Sequence, residues 1–203
     1  MDLLNDSYIE NAEFKNSDYS KREIKFKEIV DTTFTRCTFA ESFFNECRFR
    51  NCMFIKCDLS SLRVRSSQFS SVQFEGCKAI GINWTEASWQ KSGFFRLIDF
   101  HDCSLNYSNF FGLKLKNIKI TQSIVREVDF GETDLTAGVF NGTDFSGSIF
   151  MHTDLTEADF TNATNYSISA KNNVLKKTKF ALPEAMSLLY SLDIILVDPL
   201  NPE

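Results

Sequence analysis

The most reactive side chains in this sequence of 203 residues are six cysteines, and all six occupy one position of a five-residue period. They are Cys37, Cys47, Cys52, Cys57, Cys77 and Cys103. Thiols ligate metals, form disulfides or act as nucleophiles, but each of these roles needs a partner group nearby. No two cysteines form a C-x-x-C pair, and no histidine is placed near a thiol. The sequence therefore predicts no metal site and no cofactor.

The histidines, glycines and carboxylates do not indicate an enzyme either. His101 and His152 are the only histidines, and both are predicted to point outward. The eight glycines form neither a phosphate-binding loop nor a nucleophile elbow. Carboxylates on an exposed surface stay solvated, so nothing would tune a pair of them as acid and base. The sequence therefore predicts a protein without catalytic activity.

The elements that position these side chains follow from the five-residue period itself. A large apolar residue recurs at every fifth place, and a small residue, often cysteine, lies two places before it. A helix favours a spacing near 3.6 and a strand a spacing of 2, so a period of five indicates a repeat fold. The large residues are predicted to fill the axis of that fold. The predicted core includes Phe34, Phe39, Phe44, Phe49, Phe54, Trp84, Trp89, Phe140, Phe145 and Phe150.

The cysteine spacing predicts how successive turns stack. Cys37, Cys57 and Cys77 lie 20 residues apart, so if four periods make one coil their thiols stack about 4.8 Å apart. That separation admits a disulfide, but packing of reduced thiols is the favoured interpretation because nothing indicates export. The first residues lack the pattern of a signal peptide, and no apolar run approaches 18 residues. A cytoplasmic location without membrane contact is predicted.

The period slips by one residue near residues 92–99. Large residues before the slip share one phase, and those from Phe95 onward share a phase one residue later. A single-residue bulge that the coil absorbs is the simpler interpretation. The alternative is that the bulge forms a recognition feature close to Trp84 and Trp89.

The period ends at Phe180, and residues 181–203 follow another pattern. Pro183 and Glu184 suit the first turn of a helix, and a short strand is predicted from Asp193 to Val197. The apolar surface of this segment exceeds what one coil end needs, so it is predicted to join two chains in a homodimer. The alternative is a monomeric cap. The predicted dimer interface contains Leu182, Ala185, Leu188, Leu189, Leu192, Ile194, Ile195 and Val197.

The formal net charge is −5, and the acidic residues are unevenly distributed. Residues 127–159 contain no Lys or Arg, and their eight acidic residues all fall at outward positions of the period. This acidic belt comprises Glu127, Asp129, Glu132, Asp134, Asp144, Asp154, Glu157 and Asp159. It predicts a surface that attracts a basic partner, with a merely solvated surface as the alternative. No basic stripe is present, so direct binding of nucleic acid is not predicted.

Stretches such as CTFAESFFNECRFRNCMF and TDLTEADFTNA resemble the pentapeptide-repeat pattern: a small residue, a polar residue, Leu or Phe, and two variable residues. The resemblance covers about residues 7–180. It implies an all-β fold, a right-handed quadrilateral β-helix in which four repeats make one coil. Residues 1–180 would then form about nine coils, and residues 181–203 a helix-strand cap that also serves as the dimerisation module.

The ending is similar to that of pentapeptide-repeat proteins that protect bacterial type II topoisomerases, such as the Qnr proteins. GINWTEASW at 81–89 and FALPEAMSLLYSLDI at 180–194 look most like the albicidin-immunity protein. The resemblance implies a DNA-mimicking dimer that binds DNA gyrase or topoisomerase IV and protects it from a poison. Qnr proteins carry multi-residue loops, and none is expected here, which favours the immunity-type relatives over quinolone protection. The alternative is a scaffolding protein with a different protein partner.

Overall fold

The computed structural model describes residues 3–89, 98–192 and 194, and its regular elements are short strands and two 3₁₀ helices. The strands are β1 (Tyr8–Glu10), β2 (Glu13–Lys15), β3 (Glu23–Lys25), β4 (Glu28–Val30), β5 (Thr33–Thr35), β6 (Phe43–Asn45), β7 (Arg48–Arg50), β8 (Met53–Ile55), β9 (Gln68–Ser70), β10 (Val72–Glu75), β11 (Ile98–His101) and β12 (Ile120–Thr121). The 3₁₀ helices are Trp84–Glu86 and Glu184–Leu192. Every strand pairing is parallel.

The chain forms a four-sided β-helix because most repeats pair with the repeat 20 residues later. Face 1 contains the sheet β1-β4-β7-β9, and face 2 contains the sheet β2-β5-β8-β10-β11-β12. Face 3 is built from single parallel bridges such as Asp18↔Thr38 and Thr38↔Asp58. Face 4 starts with β3 and β6 and continues through the bridges Asn109↔Asp129 and Asp129↔Ile149. The all-β repeat fold expected from the period is confirmed.

The corners between faces explain why the period is five. The residue two places after each large residue adopts a left-handed backbone at most corners, for example Asn11 at φ 52° and Glu132 at φ 55°. Three extended residues followed by such a turn bring the next large residue to the axis of the coil. At the corner after Trp84 the short 3₁₀ helix replaces the left-handed residue.

The core is a stack of large side chains along the axis. The phenylalanines of face 2 stack with ring centroids 4.7–5.2 Å apart from Phe14 through Phe34, Phe54, Phe74 and Phe100. The predicted core residues Phe34, Phe39, Phe44, Phe49, Phe54, Trp84, Phe140, Phe145 and Phe150 are all buried. Trp89 is half-buried and donates its Nε1–H to the carbonyl oxygen of Trp84 at 2.9 Å.

The cysteines are buried, free, and hydrogen-bonded as parts of the coil wall. The Cys57 thiol donates to the carbonyl oxygen of Phe34 at 3.3 Å, as the Ser67 hydroxyl donates to that of Phe44 at 3.0 Å. The amide of Cys57 donates in turn to the sulfur of Cys77, at 3.3 Å. Small residues with a donor therefore connect successive coils, which explains why Cys, Ser and Thr share this position.

The coil at the phase slip has six more residues than its neighbours. Val72 pairs with Ile98, and Lys78 pairs with Ser104, so equivalent residues are 26 apart instead of 20. Residues 90–97 lie outside the described residues, but the pairing on both sides fixes this count. Six added residues shift a five-residue period by one position, which is the same shift that one added residue gives. The expected single-residue bulge is therefore wrong. The expectation that no multi-residue addition breaks the repeat is wrong for the same reason.

Both ends of the stack are covered. At the N-terminal end Leu3 is buried, and Lys27 donates from Nζ to the carbonyl oxygens of Leu4 and Asp6 at 2.8 and 2.7 Å. At the other end the helix Glu184–Leu192 lies over the last coil, where a Glu184 carboxylate oxygen accepts the amide of Asn165 at 2.8 Å. This cap is a 3₁₀ helix. The strand expected over residues 193–197 falls outside the described residues except for Ile194, which has no regular structure.

Candidate partner-binding surface

The aspartates of the acidic belt have a structural role in the repeat. The Asp129 carboxylate accepts the amide of Gly131 at 2.8 Å, and Asp134 accepts the amide of Thr136 at 3.1 Å. Asp144, Asp154 and Asp159 accept the amide two residues later in the same way. Asn109 makes the equivalent bond to Phe111, at 2.8 Å. The turn therefore requires a side-chain oxygen and not a charge, so the turn alone does not account for the negative charge of these residues.

Neighbouring coils bring cations to half of the belt. Arg126 lies 2.7 Å from Asp144, and Lys116 lies 3.5 Å from Asp134. From the C-terminal side, Lys177 lies 3.6 Å from Glu157, and Lys179 lies 3.5 Å from Asp159. All four cations lie outside residues 127–159 in sequence but in adjacent coils. The belt is thus less negative than its sequence suggests.

The lowered pKa values of Asp144 and Asp159 indicate that neighbouring groups stabilise their ionised forms. Partial burial raises the pKa of Asp144, but hydrogen bonds from Ser146, Asn165 and Arg126 outweigh burial and hold that pKa below its usual range. In Asp159 burial is likewise outweighed, mainly by hydrogen bonds from Thr161, and the pKa is lowered. Both residues therefore remain ionised in mildly acidic solution.

The other four acidic residues have no cation within ion-pair distance among the described residues. Three of them, Glu127, Asp129 and Glu132, belong to a single coil. Glu127 and Glu132 occupy the corners on either side of face 4, and Asp129 lies on face 4 between them. The fourth, Asp154, pairs with Asp134 on face 1. We call Glu127, Asp129 and Glu132 the carboxylate row.

Face 4 also carries exposed apolar side chains, which the sequence period did not reveal. Phe111, Ile149 and Met151 are 45%, 52% and 52% exposed. Phe111, Gly131 and Met151 occupy equivalent positions of three successive coils, and the ring of Phe111 lies against Gly131. The five-residue period draws attention to the inward column of large residues and not to these outward positions. A count of outward positions at 20-residue spacing would have found them.

The predicted dimer residues divide into two groups. Ala185, Leu188 and Leu189 are half-buried, and Leu188 packs against the core, so this stripe covers the last coil. Leu182, Leu192 and Ile194 are exposed, together with Met186 and Tyr190. Ile195 and Val197 lie outside the described residues. The exposed face of the cap therefore contains only part of the predicted dimer interface.

The described residues contain no assembled metal site, because no three histidine, cysteine or acidic side chains converge on one point. His101 and His152 are both exposed. The longer of the two described helices, Glu184–Leu192, has nine residues and is too short to cross a membrane.

The repeat, the four-sided coil and the buried small-residue column agree with comparisons of the sequence. Residues 27–98 match the profile of the pentapeptide repeat region, and residues 129–164 match that of pentapeptide repeats. Together these matches cover more than half of the sequence. The chain belongs to the pentapeptide-repeat proteins. A search of curated protein sequences returned no significant match.

Solved structures share this fold at low sequence identity. A trypsin-treated form of QnrB1, a plasmid-mediated fluoroquinolone resistance protein, is 21% identical with a TM-score of 0.54, covering 94% of this chain and 90% of that chain. HetL, a pentapeptide-repeat protein involved in heterocyst differentiation regulation in Nostoc sp. strain PCC 7120, is 15% identical with a TM-score of 0.54, covering 84% of this chain and 86% of that chain. The two similarities establish the fold and do not separate the two biological roles.

Proposed function

We propose that this pentapeptide-repeat protein binds a bacterial type II topoisomerase, DNA gyrase or topoisomerase IV, and protects it from a poison. The observation that carries the proposal is the carboxylate row of Glu127, Asp129 and Glu132, which has no neutralising cation among the described residues. The resemblance of residues 81–89 and 180–194 to the topoisomerase-protecting proteins supports the same assignment. The poison would be of the albicidin or the quinolone class.

The carboxylate row matches the charge density of DNA over a short distance. Duplex DNA carries one negative charge per roughly 1.7 Å, and one coil rises about 4.8 Å, so the same length of duplex has about three charges. The row supplies three. Face 4 of the adjacent coils has Asn109 on one side and Ile149 on the other, neither of them charged. The proposed mimicry is therefore local, one coil deep, rather than spread over the whole acidic belt.

Supercoiling by purified gyrase tests this function. The chain is titrated into reactions that contain albicidin, a fluoroquinolone or no drug. Restored supercoiling, at protein concentrations that do not inhibit the drug-free enzyme, is the expected result. Absence of both rescue and inhibition, repeated with topoisomerase IV, would overturn the proposal.

Matched variants test the role of the carboxylate row. Glu127→Gln, Asp129→Asn and Glu132→Gln together remove three charges, while the amide introduced by Asp129→Asn keeps an oxygen that accepts the Gly131 N–H. The control combines Asp134→Asn, Glu157→Gln and Asp159→Asn, which also removes three charges, but from ion-paired residues. We expect the first variant to lose rescue and the control to retain it. Equal activity of both variants would exclude the row as the binding element.

A second candidate function is a scaffold for a protein partner other than a topoisomerase. The fold is as similar to that of HetL as to that of QnrB1, so it is equally compatible with this alternative. A chain that neither binds nor rescues either topoisomerase would leave this function as the better one.

A further inference from the structure

We infer that face 4 of the C-terminal half is the docking face, and that its occupant is a topoisomerase segment that presents apolar side chains between Lys or Arg residues. This inference rests on the proposed function. It goes beyond the carboxylate row by assigning the contact to the exposed apolar residues Phe111, Ile149 and Met151.

Exposed apolar side chains concentrate on this side of the rod. Outside the two ends of the chain, face 4 and its corners carry Phe26, Phe43, Tyr107, Phe111, Ile149 and Met151 as large exposed apolar residues. The other faces of the described repeats carry only Tyr8, Ile124 and Val174. Outward positions of a coil are mostly polar, so this concentration on one face is typical of an interaction surface.

The apolar residues and the uncompensated charge occupy the same place. Phe111 and Met151 belong to the coils on either side of the one that carries the carboxylate row. The ring of Phe111 and the carboxylate of Asp129 both lie against Gly131, so close that an added methyl group there would touch both. Gly131 is buried beneath them, which leaves the face flat between two apolar side chains.

The dimensions and charge of the face define the occupant. Phe111 and Met151 are two coils apart, about 10 Å along the rod, which is close to the rise of two turns of an α-helix. Three carboxylates between and beside these residues complement Lys or Arg side chains on the partner. The occupant that fits is therefore a basic amphipathic segment, which binds through apolar anchors and is oriented by charge.

The face extends towards the C-terminal cap. Met151 and Tyr190 line one cavity of about 370 Å³, together with Ile168 and Ser187. A partner that contacts Met151 would therefore also approach Tyr190, whose side chain is 77% exposed. A second copy of this chain is the competing occupant, and the oligomeric state of the variants distinguishes the two.

The test is the affinity of the full chain for purified gyrase, compared with that of two variants. The face variant combines Phe111→Ser, Ile149→Thr and Met151→Ser. The control combines Ile124→Thr on face 3 with Val174→Thr on face 1, two similarly exposed apolar residues. We expect binding by the face variant to be weaker by at least about tenfold, because a few interface residues carry most of the binding energy. We expect the affinity of the control to change by less than about twofold, because its substituted residues lie outside the proposed interface. Thermal unfolding confirms that both variants fold.

The outcomes separate this inference from the proposed function. If the unchanged chain binds gyrase and the face variant binds equally well, face 4 is not the docking face and the proposed function stands. If the unchanged chain binds neither gyrase nor topoisomerase IV, both fail. If the face variant lowers the mass of the protein in light scattering, face 4 is a contact between copies, and the inferred occupant is wrong.

Discussion

The guanidinium of Arg126 lies 2.7 Å from the carboxylate of Asp144, although the two residues are 18 positions apart in sequence. They are neighbours because one coil takes about 20 residues, so charges meet across coils more closely than along the chain. A count of charges in a sequence window therefore overstates the field of a β-helix surface. The carboxylate row is the part of the acidic belt that retains its charge after this correction.

The contact between Arg126 and Asp144 predicts a loss of stability in acid. The pKa of Asp144 is lowered in the folded chain, so its ionised form stabilises the fold above the unfolded value of about 3.9. That contribution is lost as the pH falls below about 4 towards the lowered folded value. We expect Asp144→Asn to be less stable than the unchanged chain at pH 7 and to lose less stability between pH 5 and pH 2.5. Urea unfolding at several pH values measures this.

Asp154→Asn is the control for that experiment. Asp154 makes the same turn bond, to the amide of Thr156, but has no ion pair within the described chain. Asparagine keeps an accepting oxygen in both variants, so the difference between them reports the added contacts of the Asp144 carboxylate with Arg126, Ser146 and Asn165. Identical pH profiles for the two variants would show that the pairing with Arg126 contributes nothing measurable.

The buried thiols predict a protein that reacts with thiol reagents only when it unfolds. Burial raises the pKa of Cys47 and of Cys52 to about 11, so little thiolate is present at pH 8. We expect labelling by Ellman's reagent to be slow in buffer and to reach six thiols per chain in denaturant. Fast labelling of any thiol in the folded chain would contradict the buried column.

The hydrogen bond of Cys57 gives a more specific prediction. Cys57→Ser keeps a donor for the carbonyl oxygen of Phe34, as Ser67 does for Phe44, and is expected to fold with nearly unchanged stability. Cys57→Val has a similar shape but removes the thiol donor from that carbonyl oxygen, and the loss of one hydrogen bond costs about 0.5–1.5 kcal/mol. Chemical denaturation of both variants compares them. Equal stability would mean that shape alone selects residues at this position.

Much of the fold follows from the sequence because the repeat encodes it redundantly. Large inward residues, such as those from Phe34 to Phe54, recur at equivalent positions in every coil. A single irregular residue therefore does not obscure the five-residue period. The phase slip is different, since a period of five cannot distinguish one added residue from six. Only the pairing of Val72 with Ile98 fixes the number.

The candidate surface was harder to predict because it depends on which residues meet across coils. Asp144 and Asp159 belong to an acidic stretch in sequence but are paired with Arg126 and Lys179 in space. Phe111 is an outward residue whose neighbours are set by the 20-residue coil and not by the five-residue period. The sequence predicted where the cap helix begins. It did not predict which side of that helix is buried, because this depends on the contact with the last coil.

The axial stack predicts a large difference between two phenylalanines of the same chain. Phe140 is fully buried and lies 4.7 Å from Phe160 between ring centroids, whereas Phe111 is 45% exposed. We expect Phe140→Ala to cost about 3–5 kcal/mol of unfolding free energy because it leaves a cavity in the stack. Phe111→Ala is expected to cost less than about 1 kcal/mol, since surface changes have small effects. Comparable losses for both would mean that Phe111 supports the fold.

The exposed side of the cap predicts how the proposed homodimer is disrupted. Leu182 and Tyr190 are each 77% exposed, while Leu189 is half-buried against the last coil. Glutamate at position 182 or 190 places a charge in an apolar interface without disturbing the cap, so we expect Leu182→Glu and Tyr190→Glu to give monomers of 23.3 kDa by light scattering. Tyr8→Glu at the other end of the rod is the control and should leave the mass unchanged. A mass unaffected by either cap variant would exclude this side of the cap from the interface.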